Sequence, residues 1–249
     1  MSNKGKASAD KLSRQARRSA SVSSPDAFES DAKFSQEEVF DRIAPGWYSR
    51  RHWSIFRHEL EDLAVRWQEG RLLNIGCGHG ADFLPFRSGF ELYGLDFSVE
   101  MLRYARKYAQ KFEFEARLVQ GDASNLPFAS GSFDRAIAVA SLHHLQTRES
   151  RQNAFKELHR VLKPGGEAFI TVWNHWQPRF WSKPVDTHVM WKTKGAVLYR
   201  YYHLFSRGEA ERLSRRAGLQ VIRSYSEASY HFPLRLFSKN ICLLVAKVN

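Results

Sequence analysis

Apolar residues follow two periods along the chain, and the order in which those periods alternate predicts the fold. The first stretch is helical in spacing: Val39, Phe40 and Ile43, then Trp53, Phe56, Leu60, Leu63 and Ala64. Ser35 followed by Glu38 is a capping box that predicts a helix start, and Pro45 predicts its end. A second helix is expected from about Trp47 to Gln68, ended by Gly70. Short apolar runs then alternate with helical ones. Strands are expected at 72–75, 92–95, 114–119, 133–140 and 168–173. Between them lie a tight turn at 76–80 leading into a helix, a helix capped by Ser98 with Met101, Leu102, Ala105, Tyr108 and Ala109 inward, and a helix over 149–162. Lys163-Pro-Gly-Gly166 breaks the chain before the fifth strand. After Trp173 the pattern lapses over 174–198, which reads as an insertion. Ser206 and Glu209 form a second capping box, and strands at 221–225 and 241–248, joined only by a loop, are expected to be antiparallel. Strand and helix in strict alternation predict an α/β protein with a doubly wound, mostly parallel, seven-stranded sheet and a C-terminal antiparallel hairpin. Residues 35–249 make one domain.

Composition agrees with one globular domain: 249 residues, 43% hydrophobic, 26% charged, mean hydropathy −0.48. No apolar run approaches the roughly 20 residues a membrane helix needs, and the N-terminus lacks a secretory apolar stretch. Residues 1–34, rich in Ser, Lys, Arg and Ala, read as a disordered basic arm, with a transit peptide as the alternative. Cys77 and Cys242 cannot by themselves make a disulfide framework or a zinc site. A cytoplasmic location is expected, with a nuclear one as the alternative.

The net charge of +12 changes the picture because it is uneven. Residues 1–24 hold six Lys/Arg against one Asp; residues 25–172 hold 19 against 21 acidic; residues 173–249 hold 13 against four. A neutral middle with a last third of net +9 favours a polyanionic partner over a solubility surface.

The chemistry begins at Leu72-Leu-Asn-Ile-Gly76-Cys-Gly78-His-Gly80. Glycines at a strand end let the backbone approach a ligand and present N–H groups to it. With Ala81 the segment also fits the dinucleotide pattern G-x-G-x-x-A, so a nicotinamide cofactor is an alternative at this point. Asp96, 16 residues past Gly80 at a strand end, is placed to accept both hydroxyls of a ribose. Asp122 ends the next strand, where a carboxylate can accept an adenine amino group. Gly131-Ser-Phe133-Asp134 and Leu162-Lys-Pro-Gly-Gly166 follow.

These four blocks, in this order over residues 70–173, resemble the class I S-adenosylmethionine-dependent methyltransferases of Rossmann-like fold. The resemblance implies S-adenosyl-L-methionine as cofactor. Gly76, Gly78 and Gly80 would border its methionine part, Asp96 hold its ribose, and Asp122 with Ala123 its adenine. Most members carry Asp or Glu where this chain has Asn74, near the cofactor's ammonium group; Asn keeps the acceptor and loses the charge.

A second, looser resemblance covers most of 36–249. Asp41-Arg-Ile-Ala-Pro45, Ser49-Arg-Arg51-His52-Trp53, Leu142-His143-His144, Thr171-Val172-Trp173 and Arg200-Tyr-Tyr-His203 are similar to the tRNA methyltransferases that esterify 5-carboxymethyluridine at the wobble position. It implies that Arg51, Arg200 and His144 hold the substrate carboxylate, with His143 and Trp173 at the ends of strands four and five as further catalytic candidates; Arg50 and Arg51 remain alternatives for one role. The anticodon loop of tRNA is then the substrate, Trp176, Trp181 and Trp191 are candidates to stack on its splayed bases or to pack within the insertion, and a small zinc-binding activator subunit is an implied partner at the sheet edge, residues 114–119. The competing readings are a small-molecule methyltransferase of the quinone or sterol type and an RNA-binding relative with weak catalysis, the latter motivated by Asn74.

Overall fold

The computed structural model describes residues 34–248, apart from Lys194, Phe232 and Pro233. The predicted arm, except Phe34, lies outside the described residues. A seven-stranded sheet has the order β3-β2-β1-β4-β5-β9-β8, formed by β1 (Gly70–Ile75), β2 (Phe90–Asp96), β3 (Arg117–Gln120), β4 (Phe133–Val139), β5 (Leu162–Trp173), β8 (Leu219–Ser226) and β9 (Asn240–Lys247). The first five pair in parallel; β9 runs antiparallel to β5, and β8 antiparallel to β9. Alternate residues of β1 feed two cores, one on each face. Leu73 and Ile75 meet Ala154, Phe155 and Leu158 of α4 (Arg148–Val161) and Ala210 and Leu213 of α5 (Arg207–Arg216). Leu72 meets Leu60 and Leu63 of α2 (Arg57–Trp67) and Leu102 and Tyr108 of α3 (Val99–Lys111). A strand covered on both faces has no polar side, which is why β4 reads as nearly continuous apolar sequence.

Four local expectations change. Helix α1 (Gln36–Arg50) carries on through Pro45. Proline forfeits the hydrogen bond to the Asp41 carbonyl, but Ile43 and Ala44 are fully buried and Trp47 packs on Trp191 one turn later. The second helix therefore starts at Arg57, and residues 51–56 form a connection instead of its first turns. The third strand begins at Arg117, not at residue 114: the Phe114 N–H donates to the Ala109 carbonyl, so Phe114 closes α3 and packs against Tyr108 and Phe83. At 206–209 only half of the capping box forms. Ser206 accepts from the Glu209 N–H, while the Glu209 carboxylate turns to His203 Nε2 at 3.0 Å.

The stretch read as an insertion contributes a separate antiparallel pair, β6 (Asp186–Lys192) and β7 (Val197–His203). Helix α1 ties this hairpin to α3. Gln36 Oε1 accepts from the Tyr201 N–H at 2.9 Å. Asp41 Oδ1 accepts from Ser98 Oγ at 2.6 Å and from the Glu100 N–H at 3.1 Å, capping α3 from outside. The helix thus roofs the carboxyl ends of the central strands. No helix among the described residues is long and apolar enough to cross a membrane.

Because Asp41 holds two donors of another helix, Asp41→Ala is expected to cost about 1–2 kcal/mol by urea unfolding, the range of a lost cap. An unchanged midpoint and slope would show that the roof is held by packing alone.

Candidate active site

Beneath that roof lies a cavity of about 480 Å3 at the carboxyl ends of β1, β2 and β4. Its floor is the turn after β1. Gly76, Gly78 and Gly80 all have left-handed φ, of +70°, +52° and +87°. Gly76 also needs its missing side chain, since a Cβ there would come within 2.4 Å of Ser141 Cβ. Gly78 faces open space. Gly80 stands outside the cavity wall, against Ala105 of α3, where it opens a six-residue 3-10 turn (Ala81–Phe86) in place of the helix expected there.

Asp96 ends β2 and is 4% exposed. Its Oδ2 accepts from the Gly78 N–H at 2.8 Å and its Oδ1 from the Ser98 N–H at 3.0 Å, so the carboxylate joins the glycine turn to the start of α3. Desolvation raises its pKa to about 6, against the opposing pull of those two N–H donors, and the Asp41 charge adds to the rise. Each oxygen keeps a lone pair, and the residue lines the cavity. Asp122 and Ala123 line it too. The Asp122 carboxylate accepts from the Ser124 N–H and Oγ, both at 2.8 Å, an Asx-type turn that fixes its direction.

Asn74 is wholly buried on β1, does not line the cavity, and has no hydrogen-bond partner at either amide atom among the described residues. Such a group is costly unless something further reaches it. His79 Nε2 is similarly without a partner, and burial lowers the His79 pKa to about 4. The glycine cradle, the two cavity-lining carboxylates and the unpartnered His79 Nε2 in the wall suit a ligand with a ribose, an adenine and an amino-acid end. The residues present therefore fit S-adenosyl-L-methionine.

The other wall is built by α1, the 51–56 connection and the β6–β7 hairpin. Arg51 lines the cavity with its guanidinium 4.3 Å from the Trp47 ring. Arg50 points outward over Trp191 at 5.1 Å and is exposed. Arg200, 6% exposed, sits among Trp47, Trp191 and Tyr202 at 5.6, 5.0 and 5.3 Å. Burial lowers the pKa of both Arg51 and Arg200; the Arg200 charge lowers that of Arg51 further, and Asp82 acts against it. Neither forms an ion pair with a carboxylate among the described residues, and Arg200 Nε has no hydrogen-bond partner.

The two histidines part company. His144 lines the cavity, and its Nδ1 lies 2.9 Å from the Tyr201 carbonyl, which requires the proton on Nδ1 and leaves Nε2 an acceptor. Desolvation lowers its pKa to about 3, so it is neutral and offers no positive charge to a carboxylate. His143 is buried away from the cavity, stacked on Tyr202 at 5.0 Å, with Nδ1 accepting from the Trp173 N–H. Trp173 stacks on Tyr202 at 4.1 Å and also stays out of the wall.

The structure thus brings Gly76, Gly78, Asp96, Asp122, Ala123, Arg51 and His144 to one cavity, with Arg200 behind Arg51. Gly80, Asn74, His143 and Trp173 support it from outside. Sequence reasoning missed Trp47, Tyr202 and Trp191 as the aromatic surround of Arg200, and missed Ala140, which lines the cavity at φ +51°. A non-glycine residue held in the left-handed region marks a site under constraint. Nothing in its local sequence signals that.

A methyltransferase-domain family model matches residues 73–170. The chain is 34% identical over 181 residues to a protein of Encephalitozoon cuniculi (strain GB-M1) named as a methyltransferase, across 70% of this chain and 80% of that one. It is 27% identical over 213 residues to the tRNA (carboxymethyluridine(34)-5-O)-methyltransferase of Schizosaccharomyces pombe, across 74% of this chain and 88% of the relative. Against the Arabidopsis thaliana enzyme of the same name identity is 36% over 137 residues, and the chain spans only 31% of that longer protein. Among solved structures, a Haloferax volcanii methyltransferase in complex with the Trm112 methyltransferase activator superposes with TM-score 0.59 at 20% identity, covering 84% of this chain and 98% of that one, a likeness of fold.

Asp96 gains a proton as pH falls through about 6, and only its ionised form accepts from two ribose hydroxyls. Cofactor affinity by calorimetry is therefore expected to be level above about pH 7 and to fall as pH drops through the raised pKa. Asp96→Ala should weaken binding at least about tenfold, and Asp96→Asn should flatten the pH edge. A pH edge unchanged in Asp96→Asn would assign it to another group, Asp82 being the neighbour with a comparable rise.

Proposed function

This chain belongs to the S-adenosylmethionine-dependent methyltransferases, and on that premise we propose that it methylates the carboxylate of 5-carboxymethyluridine at the wobble position of tRNA. One observation carries the choice of acceptor: Arg51 and Arg200, two desolvated guanidinium groups flanking Trp47 beside the cofactor cavity, form no ion pair among the described residues, and of the carboxylates only the Asp82 charge is felt, at Arg51. Buried cations are ordinarily paired, and an anionic substrate would supply the missing partner. Their planar forks suit a carboxylate. Cation–π contact with Trp47, Trp191 and Tyr202 holds Arg200 in place meanwhile.

The cofactor supplies a methyl already activated on a sulfonium. A carboxylate acceptor is ionised at neutral pH, so this chain need not remove a proton. Its work is positioning: Arg51 and Arg200 hold the carboxylate, and Asp96 and Asp122 hold the cofactor's nucleoside end. Neutral His144 presents Nε2 as an acceptor, suited to an N–H or O–H of either ligand and not to the carboxylate. The basic last third supports a polyphosphate substrate, as do the names of the tRNA-modifying relatives. A quinone- or sterol-type acceptor has no use for two unpaired arginines. Cytoplasm or nucleus, where tRNA is processed, is the expected setting.

The same reading includes an activator subunit at the β3 edge. That strand is four residues long with half-buried Leu118 and Val119, and it leaves a row of backbone groups free for pairing. The fold neighbour in complex with an activator is consistent with such a partner.

The test is transfer of labelled methyl from cofactor to total tRNA, with and without the activator, followed by nucleoside analysis. A base-labile ester on a wobble uridine is expected, and Arg51→Ala or Arg200→Met should lower kcat/KM by about ten- to a hundredfold. Arg200→Lys should not restore it, since a lysine lacks the fork. Label in a small lipid-soluble product, with none in tRNA, would overturn the assignment. Full activity without any partner would refute the subunit alone.

A further inference from the structure

Two tryptophans of the inserted segment remain unused by this account. Trp176 is 45% exposed and Trp181 57%, whereas Trp191 is half-buried against Trp47 and Arg200. Exposed indoles on a slack loop would mean little, but this segment is firmly built. Asn174, 3% exposed, donates both amide hydrogens to the Leu236 and Ser238 carbonyls at 2.7 and 2.9 Å, and its Oδ1 accepts from the Trp176 N–H. Gln177, 7% exposed, donates to the Asn174 and Lys239 carbonyls. The Trp181 indole N–H donates to the Trp176 carbonyl, and its ring lies 5.2 Å from Phe237. Buried amides therefore hold two large apolar faces toward solvent.

The charge around those faces has one sign. Residues 174–183 and 236–240 contain Arg179, Lys183 and Lys239 and no Asp or Glu. Glu227, which approaches them, is buried and occupied by the Lys239 and Asn240 N–H groups. The segment is also coupled to the substrate site by a short chain of rings. Phe180 packs on Trp173 at 5.7 Å, Trp173 stacks on Tyr202 at 4.1 Å, and Tyr202 lies 5.3 Å from the Arg200 guanidinium. The Arg179 charge is felt at both Arg200 and Tyr202.

We propose that Trp176 and Trp181, with Arg179, Lys183 and Lys239, form a stacking platform for the unpaired nucleotides that flank the modified uridine. The inference rests on the tRNA reading and adds where the rest of the loop is held. Flat, sequence-tolerant aromatic faces beside cations are the means by which proteins take single-stranded nucleic acid. An apolar protein partner fits less well, because it would bury three cations without anions to meet them. The platform also explains how a loop is chosen over a stem: paired bases present no free face to an indole.

Binding of a labelled anticodon stem-loop, and of a fully paired hairpin of equal length, is measured by fluorescence anisotropy for the full chain, W176A/W181A and W176F/W181F. The alanine pair is expected to weaken stem-loop binding by about fivefold or more per tryptophan, leaving the weak binding of the paired hairpin and cofactor affinity unchanged. The phenylalanine pair should recover most of the loss, which separates stacking from a folding defect. Wild-type methylation of the loop with unchanged affinity in the alanine pair overturns the platform alone and leaves a protein occupant for the patch. Equal losses for loop and paired hairpin overturn it as a stacking site. No RNA binding by the wild-type chain, either alone or with the activator subunit, overturns platform and functional reading together.

Discussion

The Asp96 carboxylate, at the end of β2, ties the start of α3 just after it to the glycine turn after β1, 18 residues earlier. Taking that carboxylate out of water is unfavourable, as its rise to about 6 shows. Two backbone N–H groups offset part of that cost and are themselves satisfied by it, which a buried N–H requires. The left-handed glycines follow from this geometry, because only they turn the backbone sharply enough to aim the Gly78 N–H back at β2. Asp41 then caps the same helix from above, so the roof and the floor of the cavity share one helix N-terminus.

The wall built by α1 and the β6–β7 hairpin is organised on the opposite principle. There the two arginines are left without ion pairs among the described residues, although the Asp82 charge is felt at Arg51. Aromatic faces hold Arg51 and Arg200, desolvation lowers the pKa of both, and the Arg200 charge lowers that of Arg51 further. The hairpin that carries Arg200 is anchored elsewhere. His203 of β7 meets Asp186 at Nδ1 (2.8 Å) and Glu209 at Nε2 (3.0 Å), Tyr201 donates to the same Asp186, and Arg151 reaches the Tyr201 hydroxyl at 3.2 Å. Satisfied polar contacts at the end of the strand thus hold the charge of Arg200, which immediately precedes them. Function draws on stability gained a few residues away.

Neutral His144 illustrates how the same residue changes meaning with its surroundings. Two adjacent histidines beside the site proposed to take an anion suggest positive charge. Desolvation and the Tyr201 carbonyl make His144 an acceptor instead, while His143 is buried out of the cavity against Tyr202 and the Trp173 N–H.

Much of the fold was legible in sequence because strand and helix periodicities are local. The order of strands, Ser98 as a cap, and the inward residues of α3 from Met101 to Ala109 all depend on neighbours within a few positions. The placement of Asp96 and Asp122 at the cavity was legible for a related reason, since strand ends and glycine turns leave spacing signatures. What tertiary structure decided involves partners far along the chain. Pro45 sits inside α1 because packing from the hairpin outweighs one lost hydrogen bond. Arg51 and not Arg50 enters the cavity because helix α1 carries on to Arg50 and the chain turns there. Trp191 is enclosed and Trp176 and Trp181 are exposed because a hairpin pairs one and buried amides hold out the others. Local sequence encodes backbone preference; the environment that sets a side chain's charge, partner and exposure is assembled only when the distant segments meet.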